Sequence, residues 1–360
     1  MDSTVQDIEF DDQGKCNYCK EFIQNSSDVV FENGSLKNER LNKFIKNIKK
    51  HGKGKKYDCI VGISGGVDSS MVLVHAIRLG LRPLAVHMDN GWNSELAQSN
   101  IENLVNKLEV DLHTTVIDWV EYRKLMQSFF DADVIDVELL YDNAMTAVNY
   151  QQAAKYGIRY LLSGTNKATE GMKIPSSWNW FKLDKKNIKG IARRNGIKRL
   201  NTFPSIGTMQ FIWYTFVKKI IWTPFLDYTP YNKNDAIRLL TTEYNYKPYP
   251  YKHYESIFTR FYQGYILPNK FKVDKRKVHL SNLVISDQMT REEATKILKQ
   301  PTYPTSADLI SDMNYFQKKM NWGNDDLENY LLRTEIRHDQ YPSEKVLFET
   351  LNRLYKFVKK

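Results

Sequence analysis

The residues best suited to chemistry are Ser64, Gly65, Gly66, Val67, Asp68, Ser69 and Ser70, which read S-G-G-V-D-S-S between two apolar stretches. Cys59, Ile60, Val61 and Ile63 before them have strand propensity, and Met71 to Leu79 after them is helix-like. Asp68, Ser69 and Ser70 are natural first-turn residues, so the stretch predicts strand, tight loop and helix. Unpaired N–H groups and the positive end of the helix dipole make such a loop an anion site. Gly65 and Gly66 allow an oxygen to approach where a Cβ would block it. The Walker pattern is excluded, because no lysine stands where Gly-Lys-Ser/Thr is needed, and the dinucleotide fingerprint Gly-x-Gly-x-x-Gly is absent.

The elements that must hold this loop follow from the hydrophobic pattern. Leu41, Phe44, Ile45 and Ile48 form one stripe of a basic lead-in helix over Leu36 to Lys56. Strands are expected at Asp58 to Ile63, Arg82 to Met88, His113 to Ile117 and Tyr160 to Ser163. Helices are expected at Asp68 to Leu79, Trp92 to Leu108, Glu121 to Phe130 and Glu138 to Tyr156. The alternation predicts an α/β fold with a doubly wound parallel sheet. Ligands of such sheets gather outside the strand C-termini at the topological switch point. Two further strand ends are therefore candidates. His87, Met88 and Asn90, in H-M-D-N-G-W, could hold adenine and ribose, and Gly164, Thr165 and Asn166 open a third end with Glu170 close behind.

Outside this unit, Cys16-Asn17-Tyr18-Cys19 supplies two of the four thiolates of a closed zinc site, with a free surface pair as the alternative. Trp178 and Trp180 lie in a lysine-rich insertion that could face substrate or join the core. Met209 to Trp222, M-Q-F-I-W-Y-T-F-V-K-K-I-I-W, reads as a buried helix first and an amphipathic membrane or partner face second. Lys270, Lys272, Lys275, Arg276 and Lys277 gather enough charge to neutralise a triphosphate or sugar diphosphate, against the reading of a solvated face. His253 alone would be structural. Thr290 to Lys299 reads as an N-capped helix, and the tail to Lys360 as helical and polar.

The chain has 360 residues and a formal net charge of +10, which suits a polyanionic partner or a diphosphate substrate. Three cysteines argue for a reducing compartment, and no apolar run approaches the ~20 residues needed to span a bilayer, so a cytoplasmic location is expected. The expected organisation is an N-terminal segment over 1–50, an α/β domain over 51–235 and a mostly helical region over 236–360.

S-G-G-V-D-S-S resembles the pyrophosphate-binding loop of the ATP pyrophosphatases, and S-G-T-N with Glu170 resembles their second nucleotide-contacting element. The later runs K-H-Y-E-S-I-F-T-R-F-Y-Q-G, D-K-R-K-V-H-L-S and Q-M-T-R-E-E-A narrow the resemblance to the N-acetyl sugar amidotransferases, amidine-forming enzymes of bacterial surface-polysaccharide and nonulosonic acid pathways. The resemblance runs from Asp2 to about Pro301. It implies an adenine nucleotide alpha hydrolase-like (HUP-type) sheet with an N-terminal cysteine-containing hook and a helical C-terminal region. Family members carry an earlier Cys-x-x-Cys before a Val-Met-Asp. Here the sequence starts at Met1-Asp2, so either its start lies late or this member lacks the complete zinc site.

The implied reaction starts with attack of an acetamido oxygen on the α-phosphorus of ATP, and ammonia then displaces AMP to leave an acetamidino group. Ser64 to Ser70 would hold pyrophosphate, and Asp68 would bind Mg²⁺ with Glu170 beside it. Lys270, Arg276 and Lys277 would offset the charge of the leaving group. Trp178, His253, Glu255 and Arg260 are expected on the sugar side. Ammonia would come from a separate glutaminase and a barrel-like cyclase homologue of the histidine-biosynthesis type. Two other functions compete with this one: a tRNA-thiolating or other RNA-modifying ATP pyrophosphatase, and a non-catalytic ATP-binding module. No reactive cysteine follows the core sheet to support sulfur transfer, which makes a nucleic acid partner the poorer expectation.

Overall fold

The computed structural model describes residues 1–249 and 254–359. Five parallel strands, β1 (Cys59–Gly62), β2 (Pro83–Asp89), β3 (Leu112–Val116), β4 (Tyr160–Ser163) and β5 (Ile221–Pro224), form one sheet in the order β3-β2-β1-β4-β5. Cys59 pairs with Pro83 on one side and with Tyr160 on the other, so β1 is central. The chain winds outward through β2 and β3, then crosses to the far side of β1 for β4 and β5. The switch point therefore lies between β1 and β4, in agreement with the expected doubly wound sheet.

Side-chain alternation divides the core. Cys59, Val61, Ala85 and Leu162 point into one apolar cluster, and Ile60, Leu84, Val86 and Leu161 point into the other. Of the helices α1 (Asn17–Val30), α2 (Gly34–Gly52), α3 (Val67–Arg78), α4 (Glu95–Leu108), α5 (Trp119–Asp131) and α6 (Leu139–Lys155), α2, α3 and α4 cover the first face. Leu41, Ile45 and Ile48 of α2 pack there, as the stripe predicts. α5 and α6 cover the second face, and the C-terminal residues Phe258, Phe261, Tyr262, Phe316 and Tyr330 extend the same cluster. Phe130 is ringed edge-on by Phe316, Trp322 and Tyr330 at 5.1–5.6 Å, which ties α5 to the C-terminal helices.

Two expectations change. Met209 to Trp222 is no buried helix: Thr208–Ile212 is α-helical, Trp213–Val217 is one π-helical turn, and Lys219 at φ 55° turns the chain into β5. Ile221 and Trp222 gain a ladder with Tyr160 and Leu161 on the edge of the sheet, where β-branched and aromatic side chains fit. Met209, Trp213, Phe216 and Val217 remain exposed. The tail is helical over Ser306–Met320, Asn324–Leu332 and Lys345–Lys359, but the last helix is amphipathic and not polar. Its Leu354 and Phe357 are exposed, and Tyr355 meets Phe216 at 5.3 Å. Among the described residues, no helix is long and apolar enough to cross a membrane.

Candidate functional site: a phosphate loop facing a charged wall

The loop after β1 has the geometry its glycines require. Gly65 sits at φ 81°, and a Cβ there would lie 2.7 Å from the carbonyl oxygen of Ala97. A Cβ on Gly164, in the loop after β4, would lie 2.7 Å from the backbone nitrogen of Ser69, so the two loops touch at the switch point. The N-cap of α3 is Gly66, and no side chain caps the helix. Its first N–H groups are thus left for an oxyanion, where the helix dipole adds attraction. The loop is braced from behind: Ser69 Oγ donates to Gly66 O at 3.1 Å, and Tyr249 Oη donates to Gly65 O at 3.0 Å. Tyr231 Oη donates to Asp68, and burial together with that carboxylate raises the Tyr231 phenol well above its usual value.

The loop forms one end of a cavity of about 1110 Å³. Ser64, Gly66, Val67, Asp68, Ser69, Met88, Gly164, Thr165 and Glu170 line this end. Asp68 and Glu170 are carboxylates on the same wall as the uncapped helix start. Mg²⁺ is commonly held by one or two carboxylates together with substrate phosphates, and the donor set fits that arrangement. Glu255 belongs here rather than with a distant sugar pocket, because its Oε1 is 3.7 Å from where a Cβ on Gly66 would stand.

A charged part of the lining was not legible in the motifs. Glu138, Tyr141, Asp142, Met145 and Asn149 recur at helical spacing along α6 and the turn before it, and all of them line the cavity. Lys182 Nζ lies 2.6 Å from Asp136 and 2.9 Å from Asp142, and Lys275 Nζ lies 2.6 Å from Glu138. Gln263 donates to both oxygens of Glu138 at 2.9 and 3.0 Å. Burial opposes the charge on Asp136 and Glu138, yet Lys182 beside the first and Lys275 beside the second hold both carboxyls below their usual values. Asp142 is raised by burial, which outweighs Lys182. Arg260 and Arg276 also line the cavity. Arg260 is clamped on Asp312 and lies 4.1 Å over the Tyr254 ring, and Arg276 is paired with Asp274 and donates to Gln300 O and Pro301 O.

Several expected site residues lie elsewhere. Lys270 is interior, with a side chain 1% exposed, and it is 3.0 Å from Asp133 while donating to Tyr330 O and Arg333 O. Lys277 holds the N-terminal segment through Asp2 and Thr4. The cations between them in sequence that do line the cavity are Lys275 and Arg276, because the turn into the helix Arg276–Ile285 aims neighbouring side chains in different directions. Trp178 is buried in the apolar cluster, and Asn179 beside it reaches the cavity instead. His87 bonds to Ile63 O and Asn93, Asn90 accepts from Trp92 N, and Asn166 accepts from Thr169 N. All three are buried polar groups that shape loops and do not line the cavity. Ser70 is buried inside α3, with its N–H on Gly66 O. His253 lies outside the described residues. Replacing Lys270 with alanine is expected to lower stability by about 3 kcal/mol, since Asp133 would lose a buried partner. Urea unfolding measures that loss, and an unchanged KM for ATP would separate it from a role at the cavity.

The Sγ atoms of Cys16 and Cys19 are 3.3 Å apart, and Cys16 caps α1. Among the described residues, no group of three or more His, Cys, Asp or Glu is clustered to hold a metal, so the pair has no further zinc ligands there.

Comparisons with known proteins match both halves of the cavity. A family model described as NAD synthase matches residues 37–173, which include the phosphate loop and α6. A family model described as LPS biosynthesis protein WbpG-like, C-terminal domain, matches residues 255–355, which supply Arg260, Lys275 and Arg276. No curated protein matches the chain. Among solved structures, it is similar to NMN synthetase from Francisella tularensis, at 13% identity and TM-score 0.31, over 60% of this chain and 98% of that one. It is also similar to the NH3-dependent NAD synthetase from Campylobacter jejuni subsp. jejuni NCTC 11168 in complex with the nitrate ion, at 14% identity and TM-score 0.30, over 74% and 97% respectively. The chain thus carries an NAD synthase match over the unit that holds the loop at the sheet's switch point, and a WbpG-like C-terminal-domain match over the region that supplies the cavity's cations.

Proposed function

We propose that the protein is an ATP-dependent amidating ligase that turns the acetamido group of a sugar into an acetamidino group. The observation that carries this reading is the single cavity of about 1110 Å³. Sites for one small ligand occupy roughly 300–1,000 Å³, so there is room for ATP at the loop and a second ligand against the charged wall. The N–H groups at the start of α3 and the hydroxyls of Ser64 and Ser69 would grip the β- and γ-phosphates, leaving the α-phosphorus open. Mg²⁺ at Asp68 and Glu170 would supply charge neutralisation for the departing pyrophosphate. The acetamido oxygen attacks the α-phosphorus, pyrophosphate leaves and the amide N–H proton passes to solvent, giving an adenylylated imidate. Ammonia then adds at carbon and AMP departs. Arg260, Arg276 and Gln263, which line the cavity, would bind sugar or diphosphate oxygens.

Ammonia is supplied from outside the chain, through a separate glutaminase and a cyclase-like subunit. Cys59 is fully buried in β1, and burial raises its thiol far above the reactive range, while Cys16 and Cys19 belong to the N-terminal hook. Incubation of candidate acetamido sugars, free and UDP-linked, with ATP and ammonium is expected to give AMP, pyrophosphate and a product lighter by about one mass unit, from exchange of oxygen for NH. Ammonium should support turnover where glutamine alone does not. A tRNA-stimulated release of pyrophosphate with no sugar dependence would overturn the assignment.

A further inference from the structure

On α6, Asp142 stands out because the cavity's charged wall does not balance. Among the described residues, the cations paired with Asp136, Glu138 and Asp142 are Lys182 and Lys275, and each lysine has a closer carboxylate than Asp142: Asp136 at 2.6 Å for Lys182 and Glu138 at 2.6 Å for Lys275. Asp142 is the third party, reached by Lys182 through Oδ2 at 2.9 Å, and 35% of its side chain stays open in the cavity lining. Among the described residues, its Oδ1 has no hydrogen-bond partner. A second unfilled acceptor lines the same cavity, one residue before a backbone N–H bound to the Asp136 carboxylate that shares Lys182 with Asp142. It is Asn179 Oδ1, buried without a partner and belonging to the residue before Trp180, whose N–H donates to Asp136 at 2.7 Å. A buried acceptor left unsatisfied costs about 1–3 kcal/mol, so such an atom points to a donor that arrives with a ligand. Two acceptors and one surplus negative charge select a small cation with several N–H bonds.

We propose that Asp142 and Asn179 form the ammonium seat of this enzyme, with Asp142 as the base that frees the ammonia nucleophile. The inference rests on the amidation reading above. Dissolved ammonia is mostly ammonium near neutral pH, and ammonium has no lone pair to attack with. In a partly desolvated seat, ammonium becomes a stronger acid while burial makes Asp142 a stronger base, so the proton affinities converge. Asp142 takes one proton. The nitrogen lone pair adds to the imidate carbon, and the C–O bond breaks with its electron pair leaving on AMP. Two ammonia protons stay on the new nitrogen, the third moves to the sugar nitrogen to give the amidinium, and the proton on Asp142 passes to solvent. The charged and titratable groups around Asp142 are Glu138 and Tyr141 at the start of α6, Asp136 before it, Lys182, and Tyr122 of α5, with Lys275 beyond Glu138 and Glu255 beyond Tyr141. His338 behind Asp136 is pushed down to about 4 by burial and stays neutral.

The test is steady-state kinetics of the full chain with ammonium chloride as the varied substrate, alongside sugar-dependent ATP–pyrophosphate exchange measured without ammonium. Asp142→Asn should raise the KM for ammonium at least about tenfold, a larger factor than any change in the exchange rate or in the KM for sugar. In that variant the KM for total ammonium should fall about tenfold per pH unit between about pH 7 and about pH 8, as free ammonia becomes the only usable form, while the wild type changes little. Asn179→Leu should raise the same KM severalfold without the altered pH slope, and it carries the test if Asp142→Asn does not fold. An unchanged ammonium KM in both variants, or a raised sugar KM or lost exchange with ammonium KM intact, overturns the seat. Absence of sugar-dependent exchange in the wild type overturns the amidation reading itself.

Discussion

Asp68→Ala is expected to reduce sugar-dependent ATP–pyrophosphate exchange by at least about 10²-fold, the scale seen when one preorganised charge-stabilising group is removed from a reacting centre. The side chain lies in the first turn of α3 and lines the cavity beside the uncapped helix start. The carboxylate is expected to hold Mg²⁺ against the pyrophosphate while the N–H groups hold its oxygens. Its loss would leave the anion held by backbone dipoles alone. The hydrogen bond that Tyr231 donates to Asp68 is itself worth about 1 kcal/mol of stability. Tyr231→Phe separates the two effects: it removes the same hydrogen bond and keeps the carboxylate, so it should retain most of the exchange activity. An active Asp68→Ala protein would remove Asp68 from the mechanism.

Lys182→Met should destabilise the fold by about 3 kcal/mol, because Asp136, 2% exposed, would keep a buried charge without its nearest cation. The pH dependence gives the sign. In the wild type, Asp136 is held below its usual pKa by Lys182 and its neighbours, against the opposing effect of burial. Its stabilisation is therefore present above the unfolded value of about 3.9 and lost as the pH falls through the lower folded value. Without Lys182, burial dominates and the folded pKa moves above the unfolded one, so the carboxyl favours folding when protonated and that contribution is lost as the pH rises. The deficit of Lys182→Met should accordingly be largest at neutral pH and shrink toward about pH 4. Urea unfolding at the two pH values measures it. A deficit equal at both would mean that Lys182 stabilises by packing and not by charge.

Much of the sheet was legible because its signals are local. The alternation of Cys59 and Val61 with Ile60 fixes two faces, and the helical stripe Leu41, Ile45, Ile48 fixes the packing side of α2. β4 was bounded correctly over Tyr160–Ser163 by its apolar run and the glycine that follows. β5 was hidden inside an aromatic stretch. Its strand character comes from the open edge of β4, which no window of sequence contains. The cations show the same contrast. Lys270, Lys275 and Lys277 are alike as letters, and only their directions distinguish a core ion pair, a cavity wall and an anchor for the N-terminus.

By itself the sequence determined the glycine turn between β1 and α3, the strands β1 to β4 with their helices, and the identity of Asp68 as the carboxylate at the helix start. These follow from backbone freedom, capping and hydrophobic period, which act over a few residues. Tertiary structure alone decided what faces the loop. Glu138, Asp142, Asn179, Lys182, Gln263 and Lys275 come from segments far apart in the chain, and their charges interact only because the fold buries them around one space. Such interactions depend on distance and desolvation, and spacing along the chain specifies neither.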